Sequence, residues 1–215
     1  MSSNVDIRRR RGLMLAVVSP SGAGKTTLSR RLVAEDSQIS LSVSWTTRQP
    51  RLGELDGVHY HFVDKDMFRA HRAQDGFLEW AEVHDHYYGS PRESAFAILE
   101  SGRDLMFDVD WQGAAQLRSS AAEDVVKIFI LPPNMAELKR RLIARGQDSD
   151  DVVKKRMANA YGEISRWENF DYVLVNEDID IAYEQLKTIL ASERMARTRQ
   201  PWLSGFVQRL MREDT

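Results

Sequence analysis

Leu13-Met14-Leu15-Ala16-Val17-Val18 runs directly into Ser19-Pro20-Ser21-Gly22-Ala23-Gly24-Lys25-Thr26, and residues 27–34 then read as a helix. A short, wholly apolar run suits a strand buried on both faces, the habit of a parallel sheet. A glycine-rich turn between such a strand and a helix is the setting of a phosphate-binding loop. Gly22 and Gly24 allow successive backbone N–H groups to converge on phosphate oxygens. Lys25 would reach the β- and γ-phosphates, and Thr26 would offer a hydroxyl to Mg²⁺. The helix N-terminus adds favourable partial charge. The strict pattern opens with Gly where this chain has Ser19. The stretch specifies a nucleoside triphosphate and leaves the reaction open.

Outward from the loop, the apolar runs 105–109, 125–131 and 172–175 read as further buried strands. Helical spacing is read between and after them. Ser90-Pro91-Arg92-Glu93 has the form of a capping box with Pro at the first helical position. Asn134 repeats the cap before a helix ending near Arg145, where Gly146 follows. Val153, Met157, Ala160, Ile164 and Trp167 predict a helix over 150–168, and Ile181 to Leu190 marks another. Residues 39–84 differ in texture. Residues 39–45 alternate strictly, as a half-buried strand would, and 57–62 and 77–81 are strand candidates around a helix near 64–74. The expected fold is α/β: a P-loop NTPase core with a parallel sheet flanked by helices, an inserted small mixed α+β lobe and a helical lid.

The chain has 215 residues, 30 Lys+Arg against 32 Asp+Glu, and no Cys. Its length suits one domain with an inserted lobe. Zero cysteine excludes a disulfide scaffold, a thiol nucleophile and thiolate metal sites, and is compatible with the cytoplasm. A formal charge of -2 makes a general nucleic-acid binder a poor reading. No segment approaches the length needed to span a bilayer, so no membrane partner is expected. Arg8 to Arg11 form a like-charge block, read as a solvated basic tail over residues 1–11. Residues 196–215 read as a helical extension, with Trp202, Leu203, Phe206, Val207 and Leu210 packing on the core or against a second copy. Monomer and homodimer both remain open.

Several blocks together resemble the guanylate kinase family over residues 12–195. They are 19–25, 42–51 (Ser-Val-Ser-Trp-Thr-Thr-Arg-Gln-Pro-Arg), Gly53-Glu54, Glu79-Trp80-Ala81-Glu82 and Tyr87-Tyr88-Gly89. To these add Asp108-Val109-Asp110-Trp111-Gln112-Gly113, residues 130–133 and residues 145–149. The resemblance implies ATP-dependent phosphorylation of GMP (and dGMP) to GDP, within purine nucleotide metabolism. It implies a core of 12–38 and 102–195, a GMP-binding lobe of about 39–101 and a lid of about 141–160.

The residues can be read beside it. Arg48 and Arg51 follow a strand and straddle Pro50, and two guanidinium forks suit a dianionic phosphate. In the family these positions, with Tyr60 and Tyr88, hold the GMP phosphate. Glu79 lies in an apolar stretch where an unpaired carboxylate would be costly. Guanine offers N1–H and N2–H₂ as adjacent donors to such a carboxylate, whereas adenine would set lone pair against lone pair. The resemblance assigns Ser44, Glu79, Ser90 and Asp108 to guanine recognition. Asp108 and Asp110 close a buried strand, where ligands of open α/β sheets bind, and either could hold Mg²⁺ with Thr26. Their roles are not divided by the sequence.

Arg141 and Arg145 share a helix face. With Arg156, on the next helix, they match the family's lid arginines. Asn176 matches a position near adenine, and Ser19 to Thr27 form the ATP site. The expected catalytic set is therefore Lys25, Arg48, Arg141, Arg145 and Arg156. Two other readings share the loop: a P-loop kinase with another phosphorylated acceptor, and a non-catalytic binding module. Glu79 with Ser44 argues against the first, and the retained Lys25 and arginines against the second.

Overall fold

The computed structural model describes residues 8–144 and 150–213. Five strands, β1 (Met14–Val18), β2 (Ile39–Leu41), β7 (Asp104–Phe107), β8 (Val125–Leu131) and β9 (Tyr172–Val175), form one sheet in the order β2-β7-β1-β8-β9. All four pairings are parallel. Central β1 is buried at every position because helices cover both faces. Leu13, Leu15 and Val17 pack toward α1 (Lys25–Glu35) and α7 (Ile179–Met195). Met14, Ala16 and Val18 pack toward α3 (Arg92–Glu100) and α4 (Trp111–Ser120). Period-two alternation thus feeds two cores from one strand. Each fully buried Leu there contributes roughly 1.5–3 kcal/mol.

The inserted segment builds a second sheet in the order β4-β3-β6-β5 from β3 (Trp45–Thr46), β4 (His61–Phe62), β5 (Phe77–Val83) and β6 (His86–Pro91). It is mixed: β3 pairs parallel with β4 and antiparallel with β6, and β5 pairs antiparallel with β6. α2 (Lys65–Ala73), capped by the Asp64 carboxylate, lays Phe68 against Phe77 and Tyr87. The third packed cluster joins α5 (Met135–Ala144) to α6 (Asp150–Ile164) through Leu138, Leu142, Val153 and Ala160. α8 (Leu203–Glu213) follows at the C-terminal side.

Several readings change, among them the helix expected over 150–168, which ends at Ile164. The alternation over 39–45 belongs to two strands, because Ile39–Leu41 pairs with β7 in the large sheet while Trp45–Thr46 joins the lobe. The candidate strand 57–62 shrinks to His61–Phe62. Ser90 does not cap α3. It lies in β6, Pro91 takes the cap position without a side-chain hydrogen bond, and the Ser90 hydroxyl donates to Glu79 instead.

The arginine block is the largest correction. Arg10 forks onto Asp104 at 2.6 and 2.8 Å, and Arg11 onto Asp124 at 2.8 and 2.7 Å. Asp104 also accepts from Arg194 Nε at 2.7 Å and from the Leu13 N–H at 3.0 Å. Arg199 reaches Asp124 at 3.2 Å. Two carboxylates at the amino ends of buried strands require cations, and residues 10 and 11 supply them. The basic segment is part of the fold.

Candidate active site

The phosphate loop sits at the carboxyl end of β1. Gly22 (φ 95°) and Gly24 (φ 106°) both take the left-handed conformation. A Cβ on Gly24 would lie 2.2 Å from Asn176 Nδ2. That amide donates to the Ala23 carbonyl at 2.7 Å, so buried Asn176 latches the loop from behind. α1 begins with no side-chain cap and no acid in its first turn, leaving its N–H groups and partial positive charge to the loop. Thr26 and Thr27 stand exposed on that first turn. Ser19, at the position of the usual first glycine, directs its hydroxyl to the neighbouring Pro20 carbonyl, while Ser21 is exposed and Pro20 buried.

A cleft of about 870 Å³ opens between the two sheets, lined among others by Ser44, Tyr60, Glu79, Tyr88, Asp108 and Asp110. A second, of about 580 Å³, is lined by Gly22, Gly24, Thr27, Arg141 and Asn176. Lys25 links the regions, since its ammonium pairs with the Asp108 carboxylate. An apolar groove of about 650 Å³ between β9 and α7 lies apart from these residues.

Glu79 is 7% exposed. The β5–β6 register shifts between Phe77 and Glu79, and that bulge leaves Leu78 and Glu79 both buried. Ser90 Oγ donates to Glu79 Oε1 at 2.7 Å, and Ser44 Oγ lies 3.3 Å from Ser90 Oγ. Burial pushes the Glu79 carboxyl up from the usual carboxylate range; the Ser90 hydroxyl partly opposes this and nearby Asp110 adds to it. Ser90 thus serves Glu79 directly with Ser44 behind it, and the carboxylate keeps acceptor capacity beyond this one hydroxyl.

Arg48 is bound to Glu54 through both terminal nitrogens at 2.9 Å, and its guanidinium lies 5.4 Å from the Tyr60 ring centroid. Arg51 gives its backbone N–H to the same Glu54 at 2.7 Å, while its side chain is exposed. Hydrogen bonds from Arg48 hold the Glu54 carboxyl down at about 2.

Asp108 and Asp110, inseparable in the sequence, differ here. β7 ends at Phe107, so Asp108 and Val109 lie in the connection, and Val109 is not part of the strand. Asp110 caps α4, its Oδ1 accepting from the Gln112 and Gly113 N–H groups at 2.9 Å each. Arg141 donates to Glu137 Oε1 at 2.7 Å and to the Asn176 carbonyl at 3.2 Å. Arg156 is half-buried on α6, and Arg145 lies outside the described residues.

Three neighbours have no role in the sequence reading, Glu54 among them although it stands with Gly53 in the family blocks. Glu54 sits six residues from Arg48, within a turn. Gln116 exchanges hydrogen bonds with the Trp80 backbone at 3.0 and 3.1 Å, tying α4 to the cleft wall. Glu163 on α6 is held above its ordinary range by burial and then by Asp110, with Lys25 opposing. An acid at a half-buried helical position was its only sequence signal.

A glycine-turned phosphate loop, a buried acceptor in an inserted lobe and arginines between them define a P-loop nucleotide-binding protein of the phosphotransferase type. A guanylate kinase family profile matches residues 11–193. Guanylate kinase of Sphingopyxis alaskensis is 53% identical over 212 residues, covering 99% of this chain and 96% of its own. That of Maricaulis maris is 52% identical, covering 95% and 94%. Among solved structures, guanylate kinase from Anaplasma phagocytophilum superposes with a TM-score of 0.71 at 36% identity, covering 93% of this chain and 95% of its own. The chain belongs to the guanylate kinase family.

Proposed function

We propose that this enzyme transfers the γ-phosphoryl group of ATP to GMP, giving ADP and GDP. The observation that carries the reading is Glu79, buried with Ser90 and beside half-buried Ser44 in a cleft whose far wall, at Asp108, meets the phosphate-loop lysine. Guanine N1–H and N2–H₂ would donate to the Glu79 carboxylate; adenine would leave that buried acceptor facing the N1 lone pair. Arg48, Arg51, Tyr60 and Tyr88 would take the GMP phosphate, and Asp108 would face the base or its phosphate-side neighbours.

ATP would lie with its phosphates on residues 19–27 and its base toward Asn176. A GMP phosphate oxygen attacks the γ-phosphorus as the bond to the β-bridging oxygen breaks, and ADP leaves in line. The nucleophile is already anionic, so no general base is required. Lys25, Arg48, Arg141, Arg145 and Arg156 would neutralise the equatorial and bridging oxygens in a closed, drier site. Among the described residues no group of three or more His, Cys, Asp or Glu is placed to hold a metal. Thr26, Asp108 and Asp110 would hold a hydrated Mg²⁺ that is shared with the triphosphate. When bound, that ion spreads the negative charge of the β- and γ-phosphates.

The test is release of ADP from ATP with GMP, with AMP and without acceptor. GMP should support turnover and AMP little of it. Equal rates with AMP would overturn the assignment of Glu79, and no acceptor-dependent rate would favour a binding module.

A further inference from the structure

Arg48 has five N–H donors in a fixed plane. One NH1 hydrogen goes to the Gln49 carbonyl at 2.8 Å. The second goes to Glu54 Oε2, and one NH2 hydrogen goes to Glu54 Oε1, both at 2.9 Å. Glu54 therefore grips the end of the fork. What remains is the side edge, Nε–H with the second NH2 hydrogen, two parallel donors spaced for two oxygens of one phosphate. The Tyr88 hydroxyl is a further hydrogen-bonding partner of this guanidinium, so Tyr88 and a bound phosphate would share that edge.

Glu54 is itself held at three points. Besides Arg48 it accepts the Arg51 N–H at 2.7 Å, and its own N–H closes the turn on the Arg51 carbonyl at 3.0 Å. Gly53, at φ 86°, supplies the conformation that a side-chain-bearing residue would resist. The pair is well screened from water, with side-chain exposures of 13% for Arg48 and 18% for Glu54. The carboxyl, held at about 2, stays ionised wherever the enzyme works. One carboxylate thus fixes the side chain of one arginine and the backbone of the other.

We propose that Glu54 is a positioning residue for phosphate recognition: it clamps Arg48 end-on, so that the guanidinium offers only its Nε–H/NH2 edge to the acceptor's phosphate. The inference rests on the phosphate role of Arg48 proposed above. It opposes a second use of the same contact, in which Glu54 occupies the phosphate position and must be displaced.

Binding of GMP and of guanosine, which lacks the phosphate, separates these cases in the full chain. Glu54→Gln replaces one carboxylate oxygen by a donor that repels the fork. It should weaken GMP on the order of tenfold, with guanosine changed by less than about twofold. KM for GMP should rise similarly while KM for ATP stays within about twofold. Glu54→Asp, which keeps the charge, should recover part of the loss. It carries the same comparison if Glu54→Gln does not fold. Tighter GMP binding by Glu54→Gln would establish displacement instead, and equal losses for GMP and guanosine would reduce Glu54 to a structural role. Arg48→Ala separates the two layers. If it leaves GMP affinity unchanged, the reading of Arg48 fails; if it weakens GMP while Glu54→Gln does not, only the clamp fails.

Discussion

Asp104 and Asp108 stand at the two ends of one strand, β7, and do opposite things. Asp104 has a fully buried side chain and is saturated by Arg10, Arg194 and the Leu13 N–H. Asp108 has a side chain 63% exposed and meets Lys25 across an open cleft. The amino end of the sheet is therefore an electrostatic knot around a saturated Asp104 that fastens residues 10–11 and 194–199 to the core, although Arg194 Nη2 and Arg199 Nε are buried in it without a hydrogen-bond partner. At the carboxyl end the charges are left partly unmatched. A buried charge with all its partners stabilises a fold, whereas one short of partners is available to a ligand.

The comparison breaks most severely at Asp104. Asp104→Ala leaves two arginines and a backbone N–H facing a void, and should cost about 3–5 kcal/mol of stability. Denaturant melts should show the loss while the folded fraction keeps its KM for GMP and ATP. Lys25→Met should do the reverse. Transfer should fall about 10²–10³-fold, as expected on removing one donor to the reacting oxygens. Stability should move by less than about 0.5 kcal/mol, because its pair with Asp108 is half in water. Calorimetry should find GMP affinity nearly unchanged, and a parallel loss of GMP binding would contradict the division of the site.

The two ends also differ in how far the sequence discloses them. The phosphate loop is contiguous, so glycines, lysine and flanking strand report one another within a few residues. Asp108 closes an apolar run, where a ligand-facing acid is expected. The knot joins Arg10 to Asp104 and Arg194 to Asp104 across separations of 94 and 90 residues. Nothing local distinguishes such arginines from a solvated run. The available signal was an acid at the start of two largely buried strands, Asp104 in β7 and Asp124 just before β8. The strand at 39–45 misled for a related reason: alternation reports a half-buried strand without saying which sheet buries it. Ser90 had two suitable partners, the free N–H groups of a helix start and the Glu79 carboxylate, and only the β5–β6 pairing decides between them.

Glu79 sharpens the comparison because it is a buried carboxylate with no cation paired to it among the described residues. Its carboxyl is raised by burial above its unfolded value. The folded state therefore holds this proton more tightly, and stability falls as pH rises through the window from the ordinary carboxylate pKa to the raised one. Glu79→Gln removes that slope. The ligand-free variant should melt at or above the wild-type temperature at neutral pH, with the difference vanishing at acid pH. Its preference for GMP over AMP should fall on the order of tenfold or more, since an amide cannot accept from both guanine donors. A variant that lost stability and kept its selectivity would place Glu79 with Asp104 among the structural acids.

Arg8 gives the smallest effect and marks the edge of the knot. Its guanidinium lies 5.2 Å from the Trp202 ring centroid and 5.1 Å from that of Phe206, just before and within α8. No carboxylate is paired with it among the described residues, so the contact is a cation on aromatic faces, worth about 0.5–1 kcal/mol at an exposed site. Arg8→Ala should lower stability by no more than that and leave both substrate constants alone. Amide exchange should quicken in α8, whose Val207, Leu210 and Met211 already face water. Arg10→Ala, two residues on, should cost several times more, because it uncovers Asp104. Equal effects at the two positions would mean that the ion pairs at the amino end are no stronger than a surface contact, and the contrast between the two ends of β7 would fall.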